Sequence, residues 1–305
     1  MKRKIKGMLV GALAAAMLLC GCGAKNLADN IDEQTKKTAE YVKENVPNPQ
    51  VSSIGGEWAV KGIAESGIEP DDSYFEVYYD TVRAKVKSEK GAIHEEYYSD
   101  YARVIIALNA IGKDPTNVEG YDMTKPLEEY EELTQQGVNA VAYTLVAANE
   151  SGISLEHEQA YVEFLVKEME AMLSERKDTY TDYISMGLLG LSFYQDDDSV
   201  KKVTEDGIKY LSDMQQDNGT MGNCESTSEA VIALTQLGVD VFSDKRFVKN
   251  EGSLGESLMN YQAENGAFLH TEDGEKANEM ATEKALLALC SMKKMEKGGL
   301  YDGQK

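Results

Sequence analysis

Polar and aromatic side chains recur at the starts of six apolar segments that the sequence predicts to be helices. Each segment has a small residue near its middle. Eight positions before that small residue, five of the segments carry Ser99, Asn139, Asp182, Glu225 and Met280. Carboxyl, amide and aromatic groups gathered in one place can bind a flat or polyhydroxylated ligand through hydrogen bonds and ring contacts. This pattern predicts a ligand-binding surface at the helix starts.

The candidate binding residues share a position at or just before these helix starts. They are Trp58, Tyr98, Asp100, Tyr101, Arg103, Asn139, Tyr180, Asp182, Tyr183, Asn223, Glu225 and Asn278. A structural role is the alternative, because Ser, Asn and Asp commonly cap helix N-termini and Glu there favours the helix dipole. Arg103 lies one turn inside its helix, where a buried guanidinium needs an anionic partner. We expect it to pair with Asp100 or Asp182.

Catalytic and metal-binding patterns are not apparent. The acidic run Asp196–Asp198 follows an apolar helix instead of opening one, so we expect a solvated turn and the start of the next helix. The three histidines, His94, His157 and His270, fall in polar turns or at an outer-helix start. With Cys224 they do not assemble the ligand set of a zinc site, and no hydrolase nucleophile has a recognisable context. We therefore expect no metal and assign no catalytic residue.

A turn-and-helix unit is repeated in the second half of the chain. Residues 215–221 (Gln-Gln-Asp-Asn-Gly-Thr-Met) recur at 262–268 as Gln-Ala-Glu-Asn-Gly-Ala-Phe, and each copy leads into an apolar helix that begins near Thr227 or Thr282. A repeated unit of this kind buries its apolar face only by stacking on its neighbours.

The six apolar helices align on one register. The mid-helix small residues are spaced 45, 40, 43, 43 and 55 positions apart, and they are Gly62, Ala107, Ala147, Gly190, Ala233 and Ala288. Four of them are followed five residues later by a glycine suited to a left-handed helix cap: Gly67, Gly112, Gly152 and Gly238. Small residues at mid-helix allow helices to approach closely around a narrow axis.

More polar, amphipathic segments alternate with these helices, as expected of outer helices with one solvated face. They are 28–44, 74–86, 127–135, 157–175, 200–214 and 252–261. Six inner and six outer helices predict an all-α fold, an α6/α6 toroid over residues 28–305, and the count of six favours it over an open solenoid. Parallel inner helices would place their N-termini at one mouth of the toroid.

The N-terminus is typical of a processed leader. Four basic residues precede the short apolar run 8–19, which predicts a lipoprotein signal peptide over residues 1–21. The following Leu19-Cys20-Gly21-Cys22 resembles a bacterial lipobox, so we expect Cys22 to be lipidated and 22–27 to form a tether. Cys20 is the alternative site, and an uncleaved membrane anchor is the alternative to processing. Either way the remaining chain would lie on the extracytoplasmic face of the cell membrane.

The mature chain is strongly acidic. Removal of residues 1–21, which carry four basic residues and no acidic one, leaves 27 basic against 53 acidic residues. Nucleic acids and anionic membrane surfaces are therefore unsuitable partners. Cys224 and Cys290 fall at opposite ends of their helices, so we expect no disulfide between them.

Several segments resemble bacterial surface proteins of the prenyltransferase/squalene-oxidase repeat family. The resemblance rests on 55–59 (Gly-Gly-Glu-Trp-Ala), 100–105 (Asp-Tyr-Ala-Arg-Val-Ile), 112–117 (Gly-Lys-Asp-Pro-Thr-Asn), the two Gln-x-x-Asn-Gly turns and 278–283 (Asn-Glu-Met-Ala-Thr-Glu). It extends over about residues 28–302 and implies the terpenoid cyclase-like toroid that transcobalamin and intrinsic factor also use. A corrinoid is the ligand that those vitamin carriers suggest.

The resemblance also implies chemistries that the residues do not support. When 227–231 (Thr-Ser-Glu-Ala-Val) is set on the continuation of the cyclase motif Asp-x-Asp-Asp-Thr, the acid positions fall on 223–226, where only Glu225 is acidic. The prenyltransferase zinc site would need an acid two residues before Cys224, where Gly222 stands. We therefore expect a membrane-anchored, non-catalytic toroid that binds a corrinoid-like or glycan ligand or a surface partner, without a resident cofactor. A cyclase-like enzyme and a purely structural envelope module are the alternatives.

Overall fold

The protein is helical throughout the part of the chain that the structure describes. The computed structural model describes residues 17–69, 72–94 and 96–303. The α-helices are α1 (Met17–Asn45), α2 (Glu57–Ser66), α3 (Asp72–Ser88), α4 (Ser99–Ala110), α5 (Tyr130–Gln135), α6 (Val138–Ser151), α7 (Glu158–Glu175), α8 (Thr181–Leu191), α9 (Asp198–Met214), α10 (Cys224–Gln236), α11 (Leu254–Ser257) and α12 (Glu279–Lys294). Short 3-10 helices cover Lys125–Glu128, Asp178–Tyr180, Ser192–Tyr194, Leu258–Tyr261, Glu264–Gly266 and Met295–Lys297. These described residues contain no β-strand, only three isolated bridges. The predicted all-α class is confirmed.

Even-numbered and odd-numbered helices differ in burial. The even-numbered helices contain the six predicted mid-helix small residues, and α6 buries 12 of its 14 residues. The odd-numbered helices keep a solvated face, and α9 buries seven of its 17 residues. The even-numbered helices are therefore the inner set and the odd-numbered helices the outer set, as the alternation of the sequence predicted.

Glycine ends four of the inner helices in the predicted way. A glycine one or two residues after the helix has a left-handed backbone at four positions, with φ of 84°, 68°, 64° and 73° at Gly67, Gly112, Gly152 and Gly238. After α4 the N–H of Lys113 then donates to the carbonyl oxygen of Leu108 at 2.9 Å. This bond satisfies a carbonyl that the helix end leaves free.

Two predicted outer helices are shorter than the sequence pattern suggested. The segment 127–135 begins as the 3-10 helix Lys125–Glu128 and breaks at Glu129, whose ψ of 75° is not helical, before α5 starts. The segment 252–261 starts at a capping box between Ser253 and Glu256 and tightens into a 3-10 helix after Ser257. Amphipathic spacing is shared by α and short 3-10 segments, so the periodicity did not separate them.

Contacts among the inner helices form a cycle. Helix α2 packs on α4, α4 on α6, α6 on α8, α8 on α10, α10 on α12, and α12 returns to α2. Gly190 of α8 lies against α6, and a Cβ at this position would come within 2.8 Å of the Ala142 Cα atom. A glycine is therefore required where these two backbones approach most closely.

The repeated turn is held by equivalent hydrogen bonds in both copies. In the first copy the hydroxyl of Thr227 donates to the Asn223 carbonyl at 2.7 Å and accepts the N–H of Met221 at 3.0 Å. In the second copy the hydroxyl of Thr282 donates to the Asn278 carbonyl at 2.7 Å and accepts the N–H of Phe268 at 3.0 Å. The shared threonine therefore joins each turn to its inner helix.

The chain after α12 covers the C-terminal ends of the inner helices. The amide of Gln236, at the end of α10, donates to the carbonyls of Gly298 at 3.0 Å and Tyr301 at 2.8 Å. Its oxygen accepts the Tyr301 N–H at 3.0 Å. The Tyr301 side chain is only 2% exposed and lies against Lys61, whose ammonium is 5.0 Å from the ring centre and 2.7 Å from Glu150 Oε1. Buried side chains thus fill this end.

The predicted leader falls partly outside the described residues. Residues 1–16 are not described, and the backbone of Cys20 and Cys22 belongs to α1. None of the helices among the described residues combines the length and the apolar character needed to cross a membrane. The lipidation of Cys22 stays a prediction.

Candidate functional site

The first turns of all six inner helices line one cavity of about 400 Å³. We call it the mouth cavity. Its lining residues are Ser53, Ile54, Trp58, Tyr97, Ser99, Asp100, Arg103, Asn139, Tyr143, Asp182, Met186, Glu225, Glu229, Met280, Glu283 and Lys284. The inner helices therefore run in the same direction and open towards one side. A volume of this size is within the range of small-molecule sites.

Two positions of the helical register supply most of this lining. The positions eight residues before the mid-helix small residues are Ile54, Ser99, Asn139, Asp182, Glu225 and Met280. The positions four residues before them are Trp58, Arg103, Tyr143, Met186, Glu229 and Lys284. Residues four apart lie on the same face of a helix, so α4, α6, α8, α10 and α12 each point one upper and one lower side chain into the cavity. For α2 the upper residue, Ile54, lies in the turn before the helix.

Six of the predicted candidate residues are brought together here. They are Trp58, Asp100, Arg103, Asn139, Asp182 and Glu225. The lower residues Tyr143, Glu229 and Lys284 were missed, although the same register, read one turn further along each helix, would have found them. Met186 was missed for the same reason.

The other six candidates lie outside the cavity lining, and two of them cap helices. The side chain of Asn223 accepts the Ser226 N–H at 2.8 Å, and that of Asn278 accepts the Ala281 N–H at 2.9 Å. These are ordinary N-cap bonds, the structural role that the sequence left open. The other four are the tyrosines Tyr98, Tyr101, Tyr180 and Tyr183.

The four tyrosines occupy separate surroundings. Tyr101 is buried, and its hydroxyl accepts the Ile93 N–H at 3.0 Å. The ring of Tyr98 packs against it at 6.0 Å. Tyr180 donates from its hydroxyl to the carboxylate of Glu175, at the end of α7, at 2.8 Å, and Tyr183 is 47% exposed. Aromatic residues near a helix start therefore do not all turn towards the axis, because α4 and α8 each present only one face to it.

Arg103 pairs with Asp100, one of the two partners that the sequence offered. Asp182, the other one, keeps a buried oxygen, Oδ1, that accepts no hydrogen bond from the described residues. A buried polar atom without a partner costs free energy unless something binds it. Asp182 therefore lines the cavity with a carboxylate that has no lysine or arginine partner among the described residues.

The floor of the mouth cavity is a buried ion pair beneath aromatic rings. Lys284 and Glu229 are 9% and 4% exposed, and the ammonium lies 2.5 Å from Glu229 Oε1. The same ammonium lies 4.6 Å from the Trp58 ring centre and within 3.5 Å of the Tyr143 hydroxyl. Burial, and then the charge of Glu229, raise the pKa of Tyr143 well above its usual range. The floor thus binds an ammonium through a carboxylate, a hydroxyl and a ring face.

A second acidic group lies at the wall between α12 and the loop before α2. Glu283 is 3% exposed, and its Oε1 accepts the Gly55 N–H at 2.6 Å. Burial raises the pKa of Glu283 to about 7, against the lowering effect of the Gly55 bond and with a smaller raising effect of Glu279. Burial also raises the pKa of Glu57, whose Oε1 accepts the Ser52 N–H at 2.7 Å. Burial thus brings the pKa of Glu283, which lines the mouth cavity, close to neutral pH.

Negative charge predominates in the mouth cavity. Among the described residues, five carboxyl groups (Asp100, Asp182, Glu225, Glu229 and Glu283) line it, with two cationic groups, Arg103 and Lys284. Both cations are already engaged by carboxylates of the cavity. Glu225 contacts the His270 ring nitrogen Nδ1 at 2.8 Å, and this histidine is an exposed surface residue, as predicted. The cavity is therefore suited to ligands that donate hydrogen bonds.

The residues that were considered for chemistry elsewhere have structural roles. Asp197 caps α9, and its side chain accepts the N–H groups of Ser199 and Val200, as expected of a helix start. Cys224 and Cys290 are buried and free, so the expectation that they form no disulfide is confirmed. The described residues hold no group of three or more His, Cys, Asp or Glu side chains arranged to bind a metal ion.

Comparison of the chain with protein-family models, with curated proteins and with solved structures gives no match. The resemblance to the prenyltransferase/squalene-oxidase repeat family therefore stays a prediction from the sequence. What the site can do has to be argued from its own geometry.

Proposed function

We propose that this chain is an extracytoplasmic lipoprotein whose helices form an α6/α6 toroid with a small-ligand site at its mouth. The cycle of contacts among the inner helices supports the toroid. The observation that carries the binding function is the mouth cavity, where all six inner helices contribute side chains to about 400 Å³ of space. Convergent polar groups in a concave, partly aromatic site are the usual features of a binding pocket.

The chemistry of the lining favours a small ligand rich in hydrogen-bond donors. Carboxylate oxygens accept hydrogen bonds and donate none when ionised. The carboxylates of Asp182 and Glu225 line the cavity as acceptors, and the Trp58 and Tyr97 rings add apolar surface to the same lining. A sugar meets these requirements within the available volume. A corrinoid macrocycle is the less suitable of the two predicted ligands, because most of it would project from a cavity of about 400 Å³.

A thermal-shift and native mass-spectrometry screen tests the binding function. The full chain, purified in mild detergent, is screened against glycans, corrinoids and isoprenoids. A ligand that binds only the folded state adds about 2.7 kcal/mol to the free energy of unfolding at 100 times its Kd, and it therefore raises the melting temperature. We expect a glycan hit that is weakened in Glu225→Gln and retained in the matched variant Glu205→Gln on the exposed face of α9. A panel without any binder would overturn the proposal.

Lipid anchoring at Cys22 has a separate test. Cells that express the chain are fed a fatty acid with a clickable tag, and the lipid is detected on the purified protein. We expect labelling of the wild type and of Cys20→Ala, and no labelling of Cys22→Ala. Label that is lost in Cys20→Ala and kept in Cys22→Ala would place the anchor at the alternative cysteine.

A structural envelope module is the second candidate, because the toroid axis below the cavity is filled. Tyr143, Glu229 and Lys284 form the floor, and Tyr301 occupies the other end. If the module is only structural, a chain with Asp182→Asn and Glu225→Gln should replace the wild type in cells without loss. Loss of cellular function in this folded double variant would favour ligand binding.

A further inference from the structure

We propose that the ligand of the mouth cavity is a small organic cation, a primary amine on a body of sugar or short-chain size. This inference rests on the proposed function and narrows it. The cation would be held by the carboxylates of Asp182 and Glu225, with the Trp58 and Tyr97 rings beside it.

The first argument is the charge that remains after the internal pairs are made. Arg103 engages Asp100, and Lys284 engages Glu229. Of the lining carboxyls this leaves Asp182 and Glu225 without a lysine or arginine partner among the described residues, with Glu225 in contact only with the exposed His270 ring. Glu283 is not counted, because burial raises its pKa to about 7. A cavity with low-dielectric walls and excess negative charge concentrates cations and repels anions.

The second argument is the position of two carboxylates on neighbouring helices. Asp182 lies in the first turn of α8 and Glu225 in the first turn of α10, and these two helices pack against each other. Both residues line the cavity and occupy the same register position, so their carboxylates lie at the same level of the cavity wall. Asp182 has no lysine or arginine partner among the described residues, and its buried Oδ1 atom accepts no hydrogen bond from them. An ammonium has three donors and can bond to two neighbouring carboxylates together.

The third argument is that the cavity floor already binds an ammonium in the proposed manner. The Lys284 ammonium is held by a carboxylate at 2.5 Å, by the Tyr143 hydroxyl at 3.5 Å, and by the Trp58 ring at 4.6 Å from its centre. Aromatic faces attract cations through their quadrupole, and more strongly when water is excluded. The same kinds of group, the carboxylates of Asp182 and Glu225 and the ring of Tyr97, also line the cavity.

The rim completes the match to a ligand that is cationic at one end and apolar or hydroxylated elsewhere. Ile54, Tyr97 and Met280 are 54%, 55% and 45% exposed, and all three line the cavity. Large apolar side chains at the edge of a polar pocket commonly cover the rest of a bound molecule. The amine would therefore point inwards and the body of the ligand would lie against this rim.

Matched pairs of probes test the inference by isothermal titration calorimetry on the full chain in detergent. Glucosamine is compared with N-acetylglucosamine, and putrescine with butanediol, at slightly acidic pH where the amines are charged. We expect at least one amine to bind and its neutral counterpart to bind about tenfold or more weakly, since a hydrogen bond to a charged group is typically worth that much. Asp182→Asn should weaken the amine by a similar factor, and Glu205→Gln should leave its affinity unchanged.

The outcomes separate this inference from the proposed function. If a neutral sugar binds as tightly as the matching amino sugar, and Asp182→Asn changes neither affinity, the proposal that the ligand is a cation is refuted. The proposal of small-ligand binding then still stands. If no amine and no member of the glycan, corrinoid and isoprenoid panel binds, both proposals are overturned. Circular dichroism of Asp182→Asn establishes that a loss of affinity comes from the folded variant.

Discussion

The substitution Glu283→Gln should make the protein more stable at neutral pH and less dependent on pH. Glu283 is 3% exposed, and burial is the main cause that raises its pKa to about 7 from the usual 4.5. Glutamine has nearly the same shape, and its carbonyl oxygen can still accept the Gly55 N–H that Glu283 accepts at 2.6 Å. The substitution thus removes the titratable carboxyl group while keeping the hydrogen bond from the Gly55 N–H.

The sign and size follow from proton linkage. Between the unfolded pKa of 4.5 and the folded pKa of about 7, the folded protein binds more protons at Glu283 than the unfolded chain does. The stability contributed by this group is therefore complete below pH 4.5 and is lost as the pH rises to about 7. One pKa unit corresponds to 1.36 kcal/mol, so the loss amounts to about 3 kcal/mol.

The assay is urea unfolding at a series of pH values that bracket this window, from about pH 4 to about pH 8. The unfolding free energy of Glu283→Gln minus that of the wild type should rise by about 3 kcal/mol across the series. Glu57, whose pKa burial also raises, is present in both chains, and its charge is one of the smaller causes that raise the pKa of Glu283, so the difference includes this coupling. Glu275→Gln, which changes an exposed acid in the loop before α12, should give a flat difference.

A difference that stays constant with pH would refute the reasoning, because it would mean that Glu283 has an ordinary pKa in the folded protein. A difference that falls as the pH rises would show that the ionised carboxylate stabilises the fold. Either result would show that the pKa of Glu283 is not raised to near neutral pH in the folded protein.

Three further predictions concern the interior. Lys284→Met should destabilise the fold by about 3–5 kcal/mol in urea unfolding, because it leaves Glu229 charged and unpaired. Adding Glu229→Gln should recover most of the lost stability. Equal stability of the single and the double variant would contradict this. Gly190→Ala should cost about 1–3 kcal/mol through the clash with α6, whereas Gly252→Ala, with no atom nearer than 3.9 Å to the new Cβ, should be neutral. Burial raises the pKa of Cys290 to about 12, so this thiol should resist modification until the chain unfolds, and fast labelling of the native protein would count against its burial.

The sequence predicted the all-α class and the alternation of inner and outer helices because the inner helices repeat a simple pattern. A small residue at mid-helix and a glycine five positions later, as in Ala147 and Gly152, mark both the close packing and the end of a helix. The same register located Asp182 and Glu225 at the mouth. These features are local, so spacing along the chain was sufficient to predict them.

Features that depend on contacts between distant segments could not be predicted in this way. The pairing of Lys284 with Glu229 joins α12 to α10, and the covering of Lys61 by Tyr301 joins α2 to the segment after α12. From the sequence alone, a lysine in an otherwise apolar helix is expected to be exposed to solvent, because lysine is almost never fully buried unless it is paired. The raised pKa of Glu283 likewise depends on burial beneath the loop before α2, which no local pattern encodes.

Trp58 allows the central proposal to be tested most directly, since it is the single tryptophan of the chain and lines the mouth cavity. The measurement is a fluorescence titration of the full chain with the amines and sugars, followed by acrylamide quenching at saturation. Small-ligand binding in the cavity predicts a saturable change in Trp58 emission and reduced quenching, both weakened in Asp182→Asn. A ligand that raises the melting temperature without altering the emission or the quenching of Trp58 would bind elsewhere and would contradict the account.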